Sequence, residues 1–462
     1  MIKEIVSGLN PLSGVDLLLI NSPLRDYDNR PKDDYEVLPP LGLAYIATQT
    51  ADQGQNIGLI DAEHYGLGQL RLTREVNRLN PRFVGINVFT PAFSQALSFA
   101  KELNSEIPII IGGPHATALA ESTLRAFSAV HKKVILIISE AEFAVSALLD
   151  GQNPRNIPGA FWLEKDVLCF TPGLSTPTNL DKLPQLDRKY LVNDPSIDCH
   201  TGKIESRVLT SRGCPFNCTI CAGARDALGL QIRNRQADNV AKEIQGLVFT
   251  DNIQSVRFID DLFISSEKRA RAILDAMTNF GINGLLWDAT GRASILARFS
   301  SDFFDYIKQR GAHEIAIGIE SGSERIRAKI NKQVSTPDID KSIYELTSRG
   351  IKVKGYFVIG IPTESKEETL STLNLAKTLT QKYLGLFRAS IFIFRPYPGT
   401  QEWKNLIKEG FKEEDLMSMY ADGKGERAKH EVLTTQQFSE STPQELSNLL
   451  ANYDEWQRGW LI

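Results

Sequence analysis

The stretch TSRGCPFNCTIC, residues 210–221, places three cysteines at positions 214, 218 and 221 of a chain that has 462 residues and five cysteines in all. Disulfide bonds are not expected to explain this crowding, because an odd number of cysteines in a long chain without a secretory signal does not match an oxidised scaffold. The sequence therefore predicts a reducing, cytoplasmic location, in which the three thiols are available to hold an inorganic centre.

The C-x3-C-x2-C spacing lets three thiolates converge on one centre while the intervening residues keep the backbone curled around it. The spacing alone is compatible with two kinds of metal centre, a structural zinc ion and an iron–sulfur cluster. Structural zinc takes four protein ligands, and the neighbouring Cys199 and His200 could supply the fourth. An iron–sulfur cluster normally takes four thiolates, so three would leave one iron open to a substrate or cofactor. Outside such a site, isolated cysteines such as Cys169 and Cys199 are commonly inert buried residues.

The overall composition is that of a globular protein without a specialised surface. Lys and Arg total 52 against 56 Asp and Glu, with no basic block, so a nucleic-acid partner is not predicted. No run approaches the roughly 20 apolar residues that span a bilayer, so no membrane segment is predicted. The length exceeds what one hydrophobic core usually supports, which predicts two domains and an extension.

Residues 15–150 alternate short apolar runs with amphipathic helical stretches. The predicted strands are 15–20, 57–60, 83–88, 107–111 and 134–138. Strands that are apolar throughout and separated by helices indicate a parallel sheet covered on both faces, so residues 1–150 are predicted to form a five-stranded, doubly wound, Rossmann-like α/β domain. Such sheets bind ligands beyond the carboxyl ends of their strands.

The periodicity fades over residues 151–205, whose proline, asparagine and aspartate content predicts a linker. A second alternating series then predicts strands at 208–211, 255–260, 284–289, 314–320, 352–360 and 386–394. Six such units predict a partial (β/α)6 barrel over residues 206–400, and the cysteines follow its first strand, at the end where barrels hold their active sites.

A helical extension, residues 401–462, ends the chain. Its helical stretches are charged but also carry four large aromatic residues: Trp403, Tyr453, Trp456 and Trp460. These side chains either close the open barrel and shape a substrate pocket, or pack on the outside of the barrel.

The string RGCPFNCTIC, residues 212–221, resembles the cluster-binding signature of the radical S-adenosylmethionine (SAM) enzymes. In that superfamily three cysteines hold a 4Fe–4S cluster, and the fourth iron is chelated by the amino and carboxylate groups of SAM. The resemblance continues through RFIDDLFI (257–264), GIESGSERI (318–326), GYFVIGIPTES (355–365) and RPYPGT (395–400). It favours a cluster over zinc, and it implies that the cluster ligands are Cys214, Cys218 and Cys221.

The same motifs imply residues that contact SAM. Glu320 and Ser321 are implied to hold it. Asp260 and Asp261 could orient its amino group or accept a substrate proton, or else cap a helix. Arg292 could pair with its carboxylate through two hydrogen bonds, or lie on the surface.

The N-terminal half resembles the cobalamin-binding domain that precedes the barrel in one branch of these enzymes. The similar strings are LPPLGLAYIATQT (38–50), VGINVFTP (84–91) and IIIGGPHAT (109–117). Two departures stand out. The D-x-H-x-x-G motif, whose His ligates cobalt in some cobalamin proteins, is absent, since DAEH (61–64) has another spacing. The GEGE-like turn of the family reads SEAE (139–142).

This second resemblance implies residues at a corrin. Thr90 and His115 follow two of the strands, and His115 could touch the corrin or cap a helix. Gly112 and Gly113, like Gly360 in the barrel, could permit close approach of the backbone to a ligand or form tight turns.

Together the resemblances imply an enzyme that reductively cleaves SAM to a 5′-deoxyadenosyl radical and abstracts hydrogen from a small-molecule substrate, with cobalamin-dependent C-methylation as the leading reaction. The implied cofactors are a 4Fe–4S cluster, SAM and cobalamin, and the implied electron donor is a protein such as flavodoxin or ferredoxin. One alternative is a radical rearrangement, epimerisation or dehydration with a relic cobalamin domain. Another is a non-catalytic zinc- or cluster-bearing binding protein.

Overall fold

The computed structural model describes residues 5–32, 37–223, 229, 231–420 and 436–460. Within these ranges the chain forms two compact units. The first comprises residues up to 194 with 417–420, and the second comprises 195–416 with 436–460. The border falls inside the segment 151–205 that the sequence predicts as a linker. No helix among the described residues is long and apolar enough to cross a membrane.

The first unit is a seven-stranded sheet with helices between its strands. Its strands are β1 (Leu17–Asn21), β2 (Ile57–Asp61), β3 (Phe83–Asn87), β4 (Ile109–Gly112), β5 (Val134–Ile137), β6 (Ala160–Glu164) and β7 (Val167–Phe170). Its helices are α1 (Leu41–Ala51), α2 (Ala62–Tyr65), α3 (Gln69–Leu79), α4 (Phe93–Glu102), α5 (Pro114–Ala118), α6 (Ala120–Val130) and α7 (Glu142–Leu149), with short 3-10 turns at Thr90–Ala92, Pro154–Asn156, Leu180–Lys182 and Arg188–Tyr190.

The strand order β2-β1-β3-β4-β5-β6-β7 confirms the predicted doubly wound fold, since the first five strands are parallel. The two antiparallel strands β6 and β7 were not predicted. They are joined by Lys165 and Asp166, whose φ angles of 49° and 67° are both left-handed, as a tight hairpin requires. The hairpin was missed because this turn lacks the Asn-Gly or Asp-Gly pair that usually marks such a connection.

The second unit contains the predicted barrel sheet. Its strands are β8 (Ser196–Ile197), β9 (Ile204–Val208), β10 (Ser211–Arg212), β11 (Arg233–Asn234), β12 (Ser255–Phe258), β13 (Leu286–Gly291), β14 (Ala312–Glu320), β15 (Lys352–Ile359) and β16 (Phe387–Ile393). Helices α8 to α15 are Ala237–Asp251, Glu267–Asn279, Ala293–Leu296, Ser301–Gln309, Glu324–Lys329, Thr336–Thr347, Lys366–Lys382 and Gln401–Lys408; Glu413–Ser418 (α16) and Pro443–Trp460 (α17) complete the described helices.

Six parallel strands follow the order β16-β15-β14-β13-β12-β9, with β8 antiparallel at the edge, which agrees with a partial (β/α)6 barrel. One strand prediction was wrong: the first barrel strand is β9, residues 204–208, and not 208–211. The buried charges of Glu205 and Arg207 interrupt its apolar pattern and concealed it. The cysteine loop nevertheless leaves from the carboxyl end of this strand.

The C-terminal helix α17 packs on the last strand and the last barrel helix. Leu446, Leu450 and Tyr453 belong to the buried core of the second unit. The side-chain amide of Gln457 donates a hydrogen bond of 3.0 Å to the Ala389 carbonyl on β16. The helix therefore covers the edge strand β16, where an open sheet would otherwise expose unpaired backbone groups. The side chain of Trp460 lies outside the described residues.

Candidate functional site

The start of the cysteine loop is fixed by Asp260, which follows β12. Its carboxylate accepts hydrogen bonds from the Thr210 backbone N–H at 3.0 Å and from the Thr210 and Ser211 hydroxyls at 3.1 and 2.5 Å. Burial raises the pKa of Asp260 to about 6. Because the side chain is enclosed and bonded to the loop, Asp260 fixes the start of the loop, and its implied contact with SAM or a substrate proton stays a prediction.

Two arginines that sequence analysis missed also hold this end of the loop. Arg235 donates to the Leu209 carbonyl at 2.8 Å and pairs with Glu243 at 2.5 Å, and both of these charged side chains are buried. Arg269 donates to the Thr210 carbonyl at 2.9 Å. These partners are remote from the cysteines in sequence and belong to no motif, so only the folded chain reveals them.

The three cysteines share one small region. Cys214 and Cys218 are half-buried and Cys221 is exposed, and the Cys221 N–H donates to the Cys218 carbonyl at 3.2 Å. The charge of Cys218 influences the Cys214 thiol, and the charges of Cys214 and Cys218 both influence the Cys221 thiol. Burial raises the pKa of Cys214, and desolvation raises that of Cys221 to about 11 although the residue keeps exposed surface. A metal centre must therefore displace thiol protons when it binds.

The donor set fits a cluster better than one zinc ion. Among the described residues, no three His, Cys, Asp or Glu side chains come close enough to hold a single metal ion. In a cluster each thiolate binds a different iron, so the sulfur atoms lie further apart than zinc ligands do. Cys199 and His200 lie in the turn before β9, whereas the cysteine loop follows its other end, about 15 Å away at 3.3 Å per residue. They are therefore not placed to complete a zinc site.

Arg292 brings a buried guanidinium to the cysteine loop. It follows β13, its Nη1 lies 3.4 Å from the Cys218 sulfur, and its Cζ lies 3.8 Å from the centroid of the Phe216 ring. Its Nε donates to the Ser294 hydroxyl at 3.2 Å, but its Nη2 has no hydrogen-bond partner among the described residues. A buried unpaired guanidinium nitrogen beside the cysteines fits an anionic ligand group such as a carboxylate.

Asp261 borders the cysteine loop at Gly213 and Gly223. The Gly213 backbone N–H donates to its carboxylate, and a Cβ on Gly223 would lie 3.1 Å from its Oδ1. Desolvation raises the pKa of Asp261 and the Gly213 hydrogen bond opposes that shift. Of the acidic pair, Asp261 is thus the residue whose carboxylate faces the cysteine loop, and its contact with SAM stays a prediction.

Glu320 and Ser321 occupy different environments at the end of β14. Glu320 has a left-handed φ of 69°, and its carboxylate pairs with Lys332 at 2.6 Å, a partner that sequence analysis missed. Ser321 is fully buried: its hydroxyl lies 3.0 Å from the Thr372 hydroxyl and accepts from the Ser323 N–H at 3.1 Å. Ser321 therefore holds the turn, and its implied contact with SAM stays a prediction.

Gly360 serves a tight turn. Its φ is 79°, and a Cβ there would lie 2.5 Å from Leu446 of α17, which agrees with a tight turn; the approach of its backbone to a ligand stays a prediction. The nearby Glu364 is buried and accepts hydrogen bonds from the Gly360 N–H at 2.5 Å and the Thr369 hydroxyl at 3.1 Å. Burial raises the pKa of Glu364 to about 7. Sequence analysis missed Glu364 because its role depends on this enclosed turn.

In the first unit, His115 is buried beside Thr90 and Phe93. Its ring is buried, lies 3.2 Å from the Thr90 hydroxyl through Nδ1, and packs 4.6 Å from the Phe93 ring centroid. Burial lowers the pKa of His115 to about 4, so the imidazole is neutral. The Thr90 hydroxyl is engaged with His115, and the implied contact of both residues with a corrin stays a prediction.

The two glycines at the end of β4, Gly112 and Gly113, differ in the space around them. Gly113 has φ 102°, and a Cβ there would lie 2.3 Å from Asn87 Oδ1 and 2.8 Å from the Val88 carbonyl. A Cβ on Gly112 would meet only the Ile137 carbonyl, at 3.4 Å. Gly113 is thus required by the turn itself, while Gly112 has room beside it.

Unpaired polar atoms lie at the carboxyl ends of β1 and β2. The Asn21 side chain donates to Asp61 Oδ1 at 2.8 Å, and burial raises the pKa of Asp61 to about 6. The other carboxylate oxygen, Asp61 Oδ2, and the Ser22 hydroxyl are buried with no hydrogen-bond partner among the described residues. Such atoms at this edge of a doubly wound sheet fit a polar ligand, as a corrin with its amide side chains would be.

Cys169 and one cavity of the second unit do not belong to the clusters described above. Cys169 is on β7, with its sulfur 3.8 Å from Glu164. A cavity of about 190 Å³ opens at the amino ends of the barrel strands, away from the cysteine loop, and is lined by the ion pairs of Arg257 with Asp288 and Arg388 with Glu314. In barrels this end contributes to stability rather than catalysis.

Comparisons with known proteins agree with these two halves. Residues 34–149 match the B12 binding domain, and residues 208–376 match the radical SAM superfamily. The chain is 29% identical over 377 residues to an uncharacterized methyltransferase of Pyrococcus horikoshii, which covers 80% of this chain and 78% of that protein. It is 22% identical over 351 residues to the anaerobic magnesium-protoporphyrin IX monomethyl ester cyclase of Rubrivivax gelatinosus, which covers 73% of this chain and 62% of that protein.

The fold is also similar to a solved structure. The radical SAM methyltransferase TsrM from Kitasatospora setae, with cobalamin and a 4Fe–4S cluster bound, superposes with a TM-score of 0.67 at 17% identity, over 86% of this chain and 78% of that one. At that identity the likeness concerns the fold alone. With both domain matches, the chain belongs to the radical SAM enzymes that carry an N-terminal cobalamin-binding domain.

Proposed function

We propose that this enzyme is a cobalamin-dependent radical SAM methyltransferase that acts on a small molecule. The observation that carries the proposal is the presence, in one chain, of a B12-binding domain and a three-cysteine loop at the carboxyl end of a barrel strand. When bound, the cluster supplies the electron for reductive cleavage of SAM, and cobalamin carries the methyl group. The electron comes from a one-electron donor such as flavodoxin or ferredoxin.

The chain's own residues bind and position these groups. Cys214, Cys218 and Cys221 hold the cluster. Arg292 directs its unpaired Nη2 to the SAM carboxylate, which the buried position of the guanidinium supports. Glu320, held in a strained conformation at the end of β14, faces SAM.

The first unit would hold cobalamin without supplying a histidine to the cobalt. His64 and His115 are the histidines among the first 130 residues, and His115 is enclosed by Thr90 and Phe93. His64 lies on the short helix α2, without the spacing of the known ligand motif. When bound, cobalamin would carry a methyl group taken from one SAM, and a second SAM would give the 5′-deoxyadenosyl radical, so two SAM molecules would be consumed per methylated product.

The test is an anaerobic incubation of the reconstituted enzyme with SAM carrying a labelled methyl group, a reductant and a deproteinised metabolite extract, with and without hydroxocobalamin. Methylation requires both S-adenosylhomocysteine and 5′-deoxyadenosine, and a labelled product that forms only with the corrin. Full turnover without corrin, giving deoxyadenosine and an unlabelled product, would reject methylation.

A second candidate is a radical reaction without methyl transfer. The similarity to a protein named as a cyclase, rather than a methyltransferase, favours it. In that case one SAM is consumed per product and S-adenosylhomocysteine does not form, so the same incubation separates the two candidates.

A further inference from the structure

The turn 330–333, between α12 and α13, has an unusual backbone. Asn331 and Gln333 have left-handed φ angles of 55° and 48°. Residues other than glycine adopt this conformation rarely, and glutamine has no special tolerance for it, so the surrounding structure must hold it in place. Strain of this kind is concentrated at functional sites.

On one side this turn holds the middle of the cysteine loop. The Ile330 carbonyl accepts a hydrogen bond from the Thr219 N–H at 3.0 Å, and the Asn331 side-chain amide donates to the Asn217 carbonyl at 2.9 Å. The Cys218 sulfur lies 3.8 Å from the Asn331 carbonyl. Three consecutive residues of the loop, 217–219, are therefore fixed by two residues of the turn.

On its other side the turn holds Glu320. The Lys332 ammonium lies 2.6 Å from Glu320 Oε1, and the two side chains are only 12% and 14% exposed. A Cβ on Gly318 would lie 2.3 Å from that carboxylate oxygen and 2.5 Å from the Lys332 nitrogen. The missing side chain at Gly318 therefore makes room for the ion pair at the end of β14.

A buried arginine fixes the turn to the strand. Arg327 donates from Nη1 to the Ser321 carbonyl at 2.6 Å and from Nε to the Val334 carbonyl at 3.0 Å. These acceptors stand directly after Glu320 and directly after the turn. The cysteine loop, the turn and the end of β14 are thus joined by hydrogen bonds and one enclosed ion pair.

We propose that the turn 330–333 positions both partners of the reaction at once: Asn331 holds the cysteine loop in its cluster-binding shape, and Lys332 holds the Glu320 carboxylate toward SAM. Both are positioning residues. The inference rests on the proposed assignment of the cysteines to the cluster and of Glu320 to SAM, and it does not depend on whether the reaction is methylation.

The test uses two variants of the full chain, one expected to affect retention of the cluster and the other expected to affect binding of SAM. Asn331→Gly keeps the left-handed backbone accessible and removes the side-chain amide, which donates to the Asn217 carbonyl and accepts from the Gln333 side chain. After anaerobic reconstitution it should lose its cluster to a ferrous chelator several-fold faster than wild type, followed by the decay of visible absorbance. Lys332→Met should retain wild-type iron and sulfide and bind SAM about tenfold more weakly by calorimetry, as expected for a lost charged hydrogen bond.

Matched controls separate these effects from general damage. Lys332→Arg keeps the ion pair and should restore most of the SAM affinity. Lys341→Met removes an exposed lysine on α13 and should change neither measurement. Unchanged cluster loss in Asn331→Gly, or unchanged SAM affinity in Lys332→Met with wild-type iron, would overturn the proposal. Because no methyl transfer is measured, failure of the methylation proposal leaves these results unaffected.

Discussion

The substitution Gly113→Ala tests whether the turn after β4 is set by backbone conformation. Gly113 has φ 102° and ψ 178°, a region populated almost only by glycine, and forcing another residue into such a region costs on the order of 1–3 kcal/mol. The added Cβ would also lie 2.8 and 2.9 Å from the Val88 carbonyl oxygen and nitrogen, which are backbone atoms of a buried segment. With overpacking costs of a further 1–3 kcal/mol, we expect a total loss of about 2–6 kcal/mol in the first unit.

The matched control is Gly112→Ala, one residue away. Its Cβ would meet only the Ile137 carbonyl at 3.4 Å, and its φ is not left-handed, so we expect a change of less than about 1 kcal/mol. Hydrogen exchange of peptides from β3 and β4, read by mass spectrometry, reports the first unit alone. Retention of hydroxocobalamin after gel filtration gives a second reading on the same two variants.

The two variants must differ for the reasoning to stand. Gly113→Ala should exchange β3 and β4 much faster and release corrin, while Gly112→Ala resembles wild type. Equal and small effects of both substitutions on exchange would show that the turn relaxes at little cost. Loss of corrin from Gly112→Ala with wild-type exchange would instead indicate that Gly112 makes room for the ligand.

Other expected outcomes concern the cluster site and pH. Cys218→Ala should abolish reductive SAM cleavage, measured as deoxyadenosine, while its thermal unfolding stays that of the wild-type apoprotein. Arg292→Met should keep the cluster but weaken SAM binding about tenfold by calorimetry, because it removes the guanidinium with the unpaired Nη2; unchanged affinity would contradict that role. Asp260→Ala should lower the iron content per chain, while the fraction that retains a cluster should bind SAM with nearly wild-type affinity. Wild-type iron with weakened SAM binding would instead support the implied contact of Asp260 with SAM. The pKa of His115 falls from 6.5 unfolded to about 4 folded, so the stability it contributes is present above pH 6.5 and lost as pH falls toward 4, about 3 kcal/mol in all; His115→Gln should flatten the pH dependence of urea unfolding over that range.

The sequence predicted those parts of the fold whose signal is local. Apolar runs such as the one ending in β4 face helices on both sides, so every residue is buried and the strand is visible in the pattern. The strand β9 was not recognised because it lacks such an apolar run: its residues Glu205 and Arg207 are charged and buried. The hairpin of β6 and β7 was not predicted because Lys165 and Asp166 adopt left-handed φ angles, although neither is a residue that usually marks such a turn.

The site was predicted less completely, because a motif specifies neighbours in sequence and not the direction of each side chain. Asp260 and Asp261 are adjacent, yet the first is bonded to Thr210 and Ser211 and the second faces the cysteines. Glu320 and Ser321 divide in the same way. In each pair, one side chain is bonded within the end of the strand, and the other makes a different contact: Asp261 with the cysteine loop and Glu320 with Lys332.

Local strain shows why such pairs arise at this end of the barrel. Among the described residues, several that are not glycine have a left-handed φ near this end of the barrel. Glu320 is the last residue of β14, and Thr363 follows β15. Asn331 and Gln333 lie in the turn 330–333. Each costs on the order of 1 kcal/mol or more, so other contacts must fix it. Arginines provide those contacts: Arg327 reaches the Ser321 carbonyl at 2.6 Å, and Arg325 reaches the Thr363 carbonyl at 2.7 Å. Because these bonds do not involve a ligand, the strand ends are already shaped before SAM arrives, and binding need not provide the free energy to order them.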